Sequence, residues 1–445
     1  MRKIFTFLML LLLPTFVNAE DITTTSKITI NDNTNSKLFD NNENSYVTID
    51  KNDTIKIIND EKIYGIYIIY ELNSQIGIIS NNKNSADIGT NNFLHEYIDV
   101  DKLIGNSNEL IITYNDNVKI GEIYILSEGI LPEFIETWNP PCNEADLLLF
   151  STHSDDEQLF FLGLLPTYVV KGANVQVVYF AHHNDNPKRL HEQLHGLYTV
   201  GIRNYPIMGY IPDAYSESLE GAIRNMENSD ISIEDVTNFE VEMIRRFKPL
   251  VVVGHDELGE YSHGQHILNT HVLKIALEKT NDKNYHTTSY EKYGLWDVPK
   301  TYLHLYKENQ IIMNYDEPLE YFNGKTAYEV SKEGYSKHYS QQWTWFTKWI
   351  NGSNNSYTKA TEIKTYSPVE YGLYRSLVGN DINKNDMFEN LTMRKDEVKE
   401  SVINDAIDKI NKTIDKTINY KKYIPYGIGI LIIIVLIIFK KNKAK

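Results

Sequence analysis

Two short runs in this 445-residue chain hold residue types that can do metal-assisted chemistry. The first is Ser151-Thr152-His153-Ser154-Asp155-Asp156-Glu157. A histidine and an aspartate three positions apart on a strand-to-helix turn can converge on one metal ion, and the intervening Asp155 then points elsewhere, toward a water on that ion. The second is Gly254-His255-Asp256-Glu257-Leu258-Gly259-Glu260-Tyr261-Ser262-His263-Gly264-Gln265-His266. His263 and His266, at i and i+3 where a helix opens, put two imidazoles near one point, and His266 can complete a His-Asp-His set. Three such ligands leave positions for water and substrate, as a catalytic rather than a structural zinc requires. Cys142 is the single cysteine, which excludes an intrachain disulfide and any Cys-rich zinc module; a metal site here must use His and carboxylates. Surface histidines beside acids are common, so either run alone is a weak signal. Their combination, each after an apolar run, is much stronger.

The elements that must position these runs alternate strand and helix. Residues 146–150, 175–180 and 250–253 read as short buried strands, and residues 158–172, 189–200 and 231–247 as helices, the first despite Pro166. That grammar predicts a Rossmann-like parallel sheet layered by helices, with the chemistry in loops beyond the carboxyl ends of its strands. Both histidine runs follow strands in that way. His182 and His183 also follow a strand, but most such histidines are solvated loop residues. Further on, Tyr339, Trp343 and Trp345 offer faces that can stack on sugar rings, with Gln342 in reach of hydroxyls; for any single Trp, core packing is the better expectation.

At these residues the chain resembles a family. His153-Ser154-Asp155-Asp156-Glu157 is similar to the H-P-D-D-E signature of the PIG-L/LmbE zinc-dependent N-acetylglucosaminyl deacetylases, and residues 259–266 to their later G-x-Y-G-H-x-x-H element. The resemblance runs from about residue 145 to 390, taking in Arg189-Leu190-His191-Glu192 and, as in secreted members, Tyr371-Gly372-Leu373-Tyr374-Arg375-Ser376. It implies that His153, Asp156 and His266 bind zinc, that Asp155 is the general base, and that a protonated His263 is the electrophilic partner of the oxyanion. It also implies that Arg189 faces the substrate, against the plainer alternative of an ion pair with Glu192. Glu157 is expected to support its neighbours rather than the metal. The sequence departs from the pattern at Thr152, at Ser154 in place of proline, and at Gln265 where many members have an aspartate that could hold His263 charged.

Ahead of this body, residues 28–126 alternate in short β-like pieces (54–58, 63–72, 75–79, 109–114 and 121–126) separated by Asn, Asp and Gly. Period-two patterning of that kind predicts an antiparallel β-sandwich. Residues 37–46 and 120–125 loosely resemble the galactose-binding-like jelly roll, although the segment has no Trp for sugar stacking. A spacer or docking module is the plainer expectation. Pro140-Pro141-Cys142 links the two bodies.

The ends supply an address. Residues 1–19 carry the basic start, apolar core and small final residues of a signal peptide. Residues 423–439 read as a transmembrane helix and 440–445 as a lysine-rich cytoplasmic tail. Residues 396–422, with isoleucines at helical spacing, read as an amphipathic stalk that either stays solvated or self-associates. The expected domains are therefore 1–19, a sandwich over 20–135, a deacetylase-like body over 142–395, the stalk, the anchor and the tail. That order places the catalytic body on the extracellular face of a plasma membrane.

The chain carries 44 Lys and Arg against 60 Asp and Glu, a net charge of −16. So acidic a body argues against a nucleic-acid partner, because phosphate contacts need clustered cations. The expected function is zinc-dependent removal of acetyl groups from N-acetylglucosamine-type sugars of an extracellular or cell-surface glycan. The competing expectations are a non-catalytic surface glycan-binding protein and a zinc amidohydrolase acting on a non-sugar amide.

Overall fold

The run Leu147-Leu148-Leu149-Phe150 has no polar face to offer water. In the computed structural model, which describes residues 18–394, it lies fully buried inside a six-stranded sheet. Strand Leu147–Ser151 pairs in parallel with Val175–Tyr179 on one side and Val251–Gly254 on the other. Lys300–His304 extends the parallel part, and Glu370–Ser376 and Gln310–Ile312 close that side antiparallel. The sheet is thus mixed rather than purely parallel. The first strand has neighbours on both sides, so the loops after Leu147–Ser151 and Val251–Gly254 diverge and leave a crevice at their carboxyl ends.

Helices Pro187–Thr199 and Ile233–Phe247 match the sequence pattern, the second opened by a capping box between Ser232 and Asp235. The expected helix over 158–172 is instead two short ones, Asp156–Leu159 and Leu164–Val170. Gly163 breaks it: its φ is +89°, and a Cβ there would stand 2.4 Å from the Tyr315 ring. Pro166 is tolerated because it lies in the first turn of the second helix.

The amino-terminal body is an antiparallel sandwich. Its five-stranded sheet runs Lys27–Ile30, Ile55–Ile63, Ser107–Tyr114, Gly77–Ser80, Ser85–Ile88. The four-stranded sheet runs Val47–Ile49, Val118–Leu126, Gly65–Tyr70, His95–Asp99. Inward-facing isoleucines such as Ile57, Ile66, Ile112 and Ile123 fill the space between them. Strand His95–Asp99 gave no apolar alternation to read, because it is an edge strand whose buried His95 and Glu96 meet polar partners. The sandwich and the α/β body are in contact: Phe93 stacks on Tyr205 at 4.4 Å, and the Leu94 amide donates to the Tyr205 hydroxyl. Residues 1–17 and 395–445, which carry the expected leader except Asn18 and Ala19 and the whole of the expected stalk, anchor and tail, lie outside the described residues. Among the described residues no helix is long and apolar enough to cross a membrane.

Candidate active site and metal centre

The strand-to-helix turn after Ser151 is built from backbone that few side chains accept. Asp155 has a φ of +122°, a strained value that sends the carboxyls of adjacent Asp155 and Asp156 in different directions. Asp156 turns inward, where one oxygen accepts from the His153 amide at 2.7 Å and lies 3.2 Å from His153 Nδ1. His266, from the first turn of helix Gly264–Lys279, brings Nε2 to 3.1 Å from the same oxygen and 3.2 Å from His153 Nδ1. Three donor atoms from two loops thus stand at the corners of a nearly equilateral triangle. Ligands of a tetrahedral zinc, about 2.0–2.2 Å from the ion, are spaced at about this distance. The residues fit the metal.

Each imidazole has its outward nitrogen held. His153 Nε2 lies 2.8 Å from Gln265 Oε1, leaving Nδ1 to face inward. His266 Nδ1 lies 2.7 Å from Glu260, which is fully buried. The same carboxylate takes His255 Nδ1 at 2.8 Å and His304 Nδ1 at 2.6 Å. Burial opposes a charged His266, yet Asp156 and Glu260 hold its imidazolium up to about 10, so this point favours a positive charge.

Asp155 is buried, and desolvation pushes its carboxyl up to about 7 against the pull of Arg189. Arg189 faces the site: it bonds Asp213 at 2.7 Å and the Ser154 carbonyl at 2.7 Å, and stands 3.4 Å from Asp155. The alternative ion pair with Glu192 is not formed, because Glu192 is bonded by the Ser340 amide and hydroxyl. Glu157 accepts from the Asp155 amide and reaches His338 Nε2 at 3.0 Å, supporting the turn from below.

His263 stands at the head of the helix that carries His266. It caps helix Gly264–Lys279, its Nδ1 accepting from the Gln265 amide at 3.2 Å. Burial, then His153 and His266, draw its pKa down to about 2, which works against the imidazolium that the resemblance implies. Gln265 does not face His263; it serves His153, the Ala214 amide and the Pro212 carbonyl instead. Ser154 also has a purpose: its amide donates to His183 Nε2, which a proline could not do.

Asp213 was not singled out in the sequence. It bridges Arg189, His183 at 3.4 Å and His153 at 3.5 Å, from a loop with no motif around it. Glu260, His255, His183 and His304 were likewise unassigned. The cleft above these groups encloses about 410 Å³ and is walled by Tyr215, Tyr261, Trp343 and Trp345. Trp343 and Trp345 stack on one another at 5.3 Å and are half exposed, so they belong to the rim rather than the core. Gln341 lines the cleft, whereas Gln342 is spent on the Tyr335 and His338 carbonyls.

A sheet whose diverging loops bring two histidines and an aspartate onto one point, beside a buried carboxyl, has the parts of a metal-assisted hydrolase. Residues 148–277 match the model of the PIG-L family, described as GlcNAc-PI de-N-acetylase. Over 181 residues the chain is 30% identical to the 1D-myo-inositol 2-acetamido-2-deoxy-alpha-D-glucopyranoside deacetylase 2 of Saccharopolyspora erythraea, covering 35% of this chain and 63% of that one. The corresponding deacetylase of Geodermatophilus obscurus is 27% identical over 181 residues, 35% of this chain and 60% of its own. The chain therefore spans about three fifths of the length of these relatives. Among solved structures, the N,N'-diacetylchitobiose deacetylase of Pyrococcus horikoshii is similar with a TM-score of 0.38 and 13% identity, covering 52% of this chain and 85% of that one.

Proposed function

We propose that this protein is a zinc-dependent hydrolase that removes acetyl groups from N-acetylglucosamine-type sugars of an extracellular or cell-surface glycan. The observation that carries the reading is the triangle of His153 Nδ1, Asp156 and His266 Nε2, with Asp155 buried next to it in sequence and free of the triangle. A zinc ion held there supplies Lewis acidity, which lowers the pKa of water to about 7 and polarises an acetamide carbonyl. Asp155 accepts the proton of the attacking water. A carboxyl raised to about 7 by burial is matched to that task near neutral pH. His263 presents a neutral Nε2–H as hydrogen-bond donor to the oxyanion, its orientation fixed by the Gln265 amide on Nδ1. The proton on Asp155 returns to the leaving nitrogen, giving acetate and a free amine. Arg189, fixed by Asp213, offers planar donors to sugar hydroxyls.

Trp343 and Trp345 on the rim favour a sugar substrate over a non-sugar amide, because exposed indole faces stack on pyranose rings. The leader-like residues 1–19 and the lysine-flanked apolar run at 423–439 support a membrane-held body outside the cell. The test is acetate release from N-acetylglucosamine oligomers by the zinc-loaded protein and by Asp155→Asn. Asp155→Asn should keep its zinc and lose at least a hundredfold in kcat. Equal rates for the two proteins would remove Asp155 as the base, and acetate from no glycan despite bound zinc would favour the non-sugar amide.

A further inference from the structure

A second cluster of metal-binding side chains lies away from the cleft, where the sandwich meets the α/β body. Helix Pro187–Thr199 presents His191 and His195, four residues apart and so on one face. Opposite them the sandwich brings His95, from its edge strand, and Glu43. His95 Nε2 and His191 Nδ1 face each other at 2.9 Å, and Glu43, His95 and His191 each offer a donor atom within 4.8 Å of the other two. Both histidines are fully buried.

The outward atoms are also arranged. His95 Nδ1 lies 3.0 Å from Glu136, and His191 Nε2 lies 3.2 Å from the Tyr46 hydroxyl. Glu136 is itself fixed by the Trp138 indole and by His195 Nδ1, while His195 Nε2 reaches Glu43 at 2.9 Å. So each inward-facing histidine has its other nitrogen held, which is how proteins fix the tautomer and aim of a ligating imidazole. The active-site histidines are held in the same way.

We propose that Glu43, His95 and His191 bind a second divalent ion of the zinc class, clasping the sandwich to the α/β body, with Glu136, His195 and Tyr46 holding the ligands in place. Two imidazoles and one carboxylate suit zinc and its transition-metal neighbours, not calcium or magnesium, which take oxygen ligands. Ligand atoms around tetrahedral zinc are about 3.3 Å apart, so the 2.9 Å pair opens by only a few tenths of an ångström. Glu43 is partly exposed, which gives the ion a route in and leaves space for water to complete the coordination. The metal-free alternative for the same atoms is a relay of hydrogen bonds from Tyr46 through His191 and His95 to Glu136.

The test counts zinc in the full chain. Wild type, His266→Ala, His191→Gln and Glu43→Gln are stripped with chelator, dialysed against Zn²⁺, desalted, and measured by plasma mass spectrometry. Wild type should hold two ions per chain, each single variant one, and His266→Ala combined with Glu43→Gln none. Melting of His266→Ala should shift upward on adding Zn²⁺, and the shift should vanish in the double variant. Circular dichroism of the zinc-free proteins checks folding, and Glu43→Gln serves where the buried His191 change disturbs it. A His266→Ala protein without zinc overturns the clasp and leaves the catalytic centre standing. Zinc retained unchanged in both His191→Gln and Glu43→Gln also overturns it. Loss of zinc in His191→Gln that leaves none at all would instead count against the catalytic centre.

Discussion

Glu260 makes the sharpest test of how a metal at His153, Asp156 and His266 would be held. It is fully buried, and three histidines point their Nδ1 atoms at its two oxygens: His255 at 2.8 Å, His266 at 2.7 Å and His304 at 2.6 Å. Glu260→Gln keeps the shape but replaces one acceptor oxygen with an NH₂ group. Either orientation sets that NH₂ against at least one histidine nitrogen, and the charge that favours a cation at His266 is gone. Loss of such an outer carboxylate typically costs 10–100-fold in metal affinity, about 1.4–2.7 kcal/mol. One misfaced buried donor costs about 1–3 kcal/mol of stability in addition. The assay is zinc binding in competition with a chromophoric chelator, with acetate release followed at limiting and saturating zinc. Affinity should fall 10–100-fold and most of kcat should return at saturation, since Glu260 is fully buried and does not line the cleft. Glu240→Gln is the matched control: that carboxyl is buried with no hydrogen-bond partner for either oxygen, and burial pushes it well above the usual carboxylate range. An unchanged zinc affinity in Glu260→Gln, or an equal loss in Glu240→Gln, would refute the reasoning.

Three further outcomes are expected. Arg189→Gln removes the cation that pulls the Asp155 pKa down, so the acidic limb of kcat/KM should move up by about one unit, and activity at pH 6 should fall more than at pH 8; a limb that stays put would exclude Asp155 as the titrating base. Trp343→Ala with Trp345→Ala should raise KM for N-acetylglucosamine oligomers about 2–10-fold while zinc content is unchanged, read from initial rates against chain length. Gly163→Ala should lower the melting temperature measured by calorimetry, by about 1–3 kcal/mol of stability, because it combines a positive φ with a Cβ 2.4 Å from Tyr315.

The parts of this molecule that were legible in the sequence are those where chemistry and local structure coincide. His153, Asp156 and His266 stood out because each lies in the first turn after a buried strand or at the head of a helix, so sequence spacing and spatial convergence are the same fact. The isoleucine alternation of Ile55–Ile63 and Val118–Leu126 likewise encodes a buried face directly. Asp213 is different. It lies in a loop after the two-residue strand Ile211–Pro212, and it reaches the site only because that strand pairs with Ala181–His182. No pattern around position 213 encodes that pairing. The break at Gly163 was hidden for a related reason: an apolar run reads the same whether one helix or two cover the sheet, and the clash that forbids continuity comes from Tyr315, far along the chain.

Helix Pro187–Thr199 joins the two histidine clusters and meets the sandwich through His191. Residues two apart on a helix point about 200° away from one another. Arg189 therefore faces Asp155 and Asp213 while His191 faces His95 and Tyr46. Glu192, on the same helix, fixes the Ser340 end of the segment that leads through Gln341 to Trp343 on the cleft rim. The element that sets Arg189 beside Asp155 is thus held from behind by the sandwich. Buried polar side chains such as His191 are costly without their partners, and the partners of His191, His95 and Tyr46, come from the sandwich. The sandwich therefore helps to hold the helix that sets Arg189 beside Asp155 and Asp213.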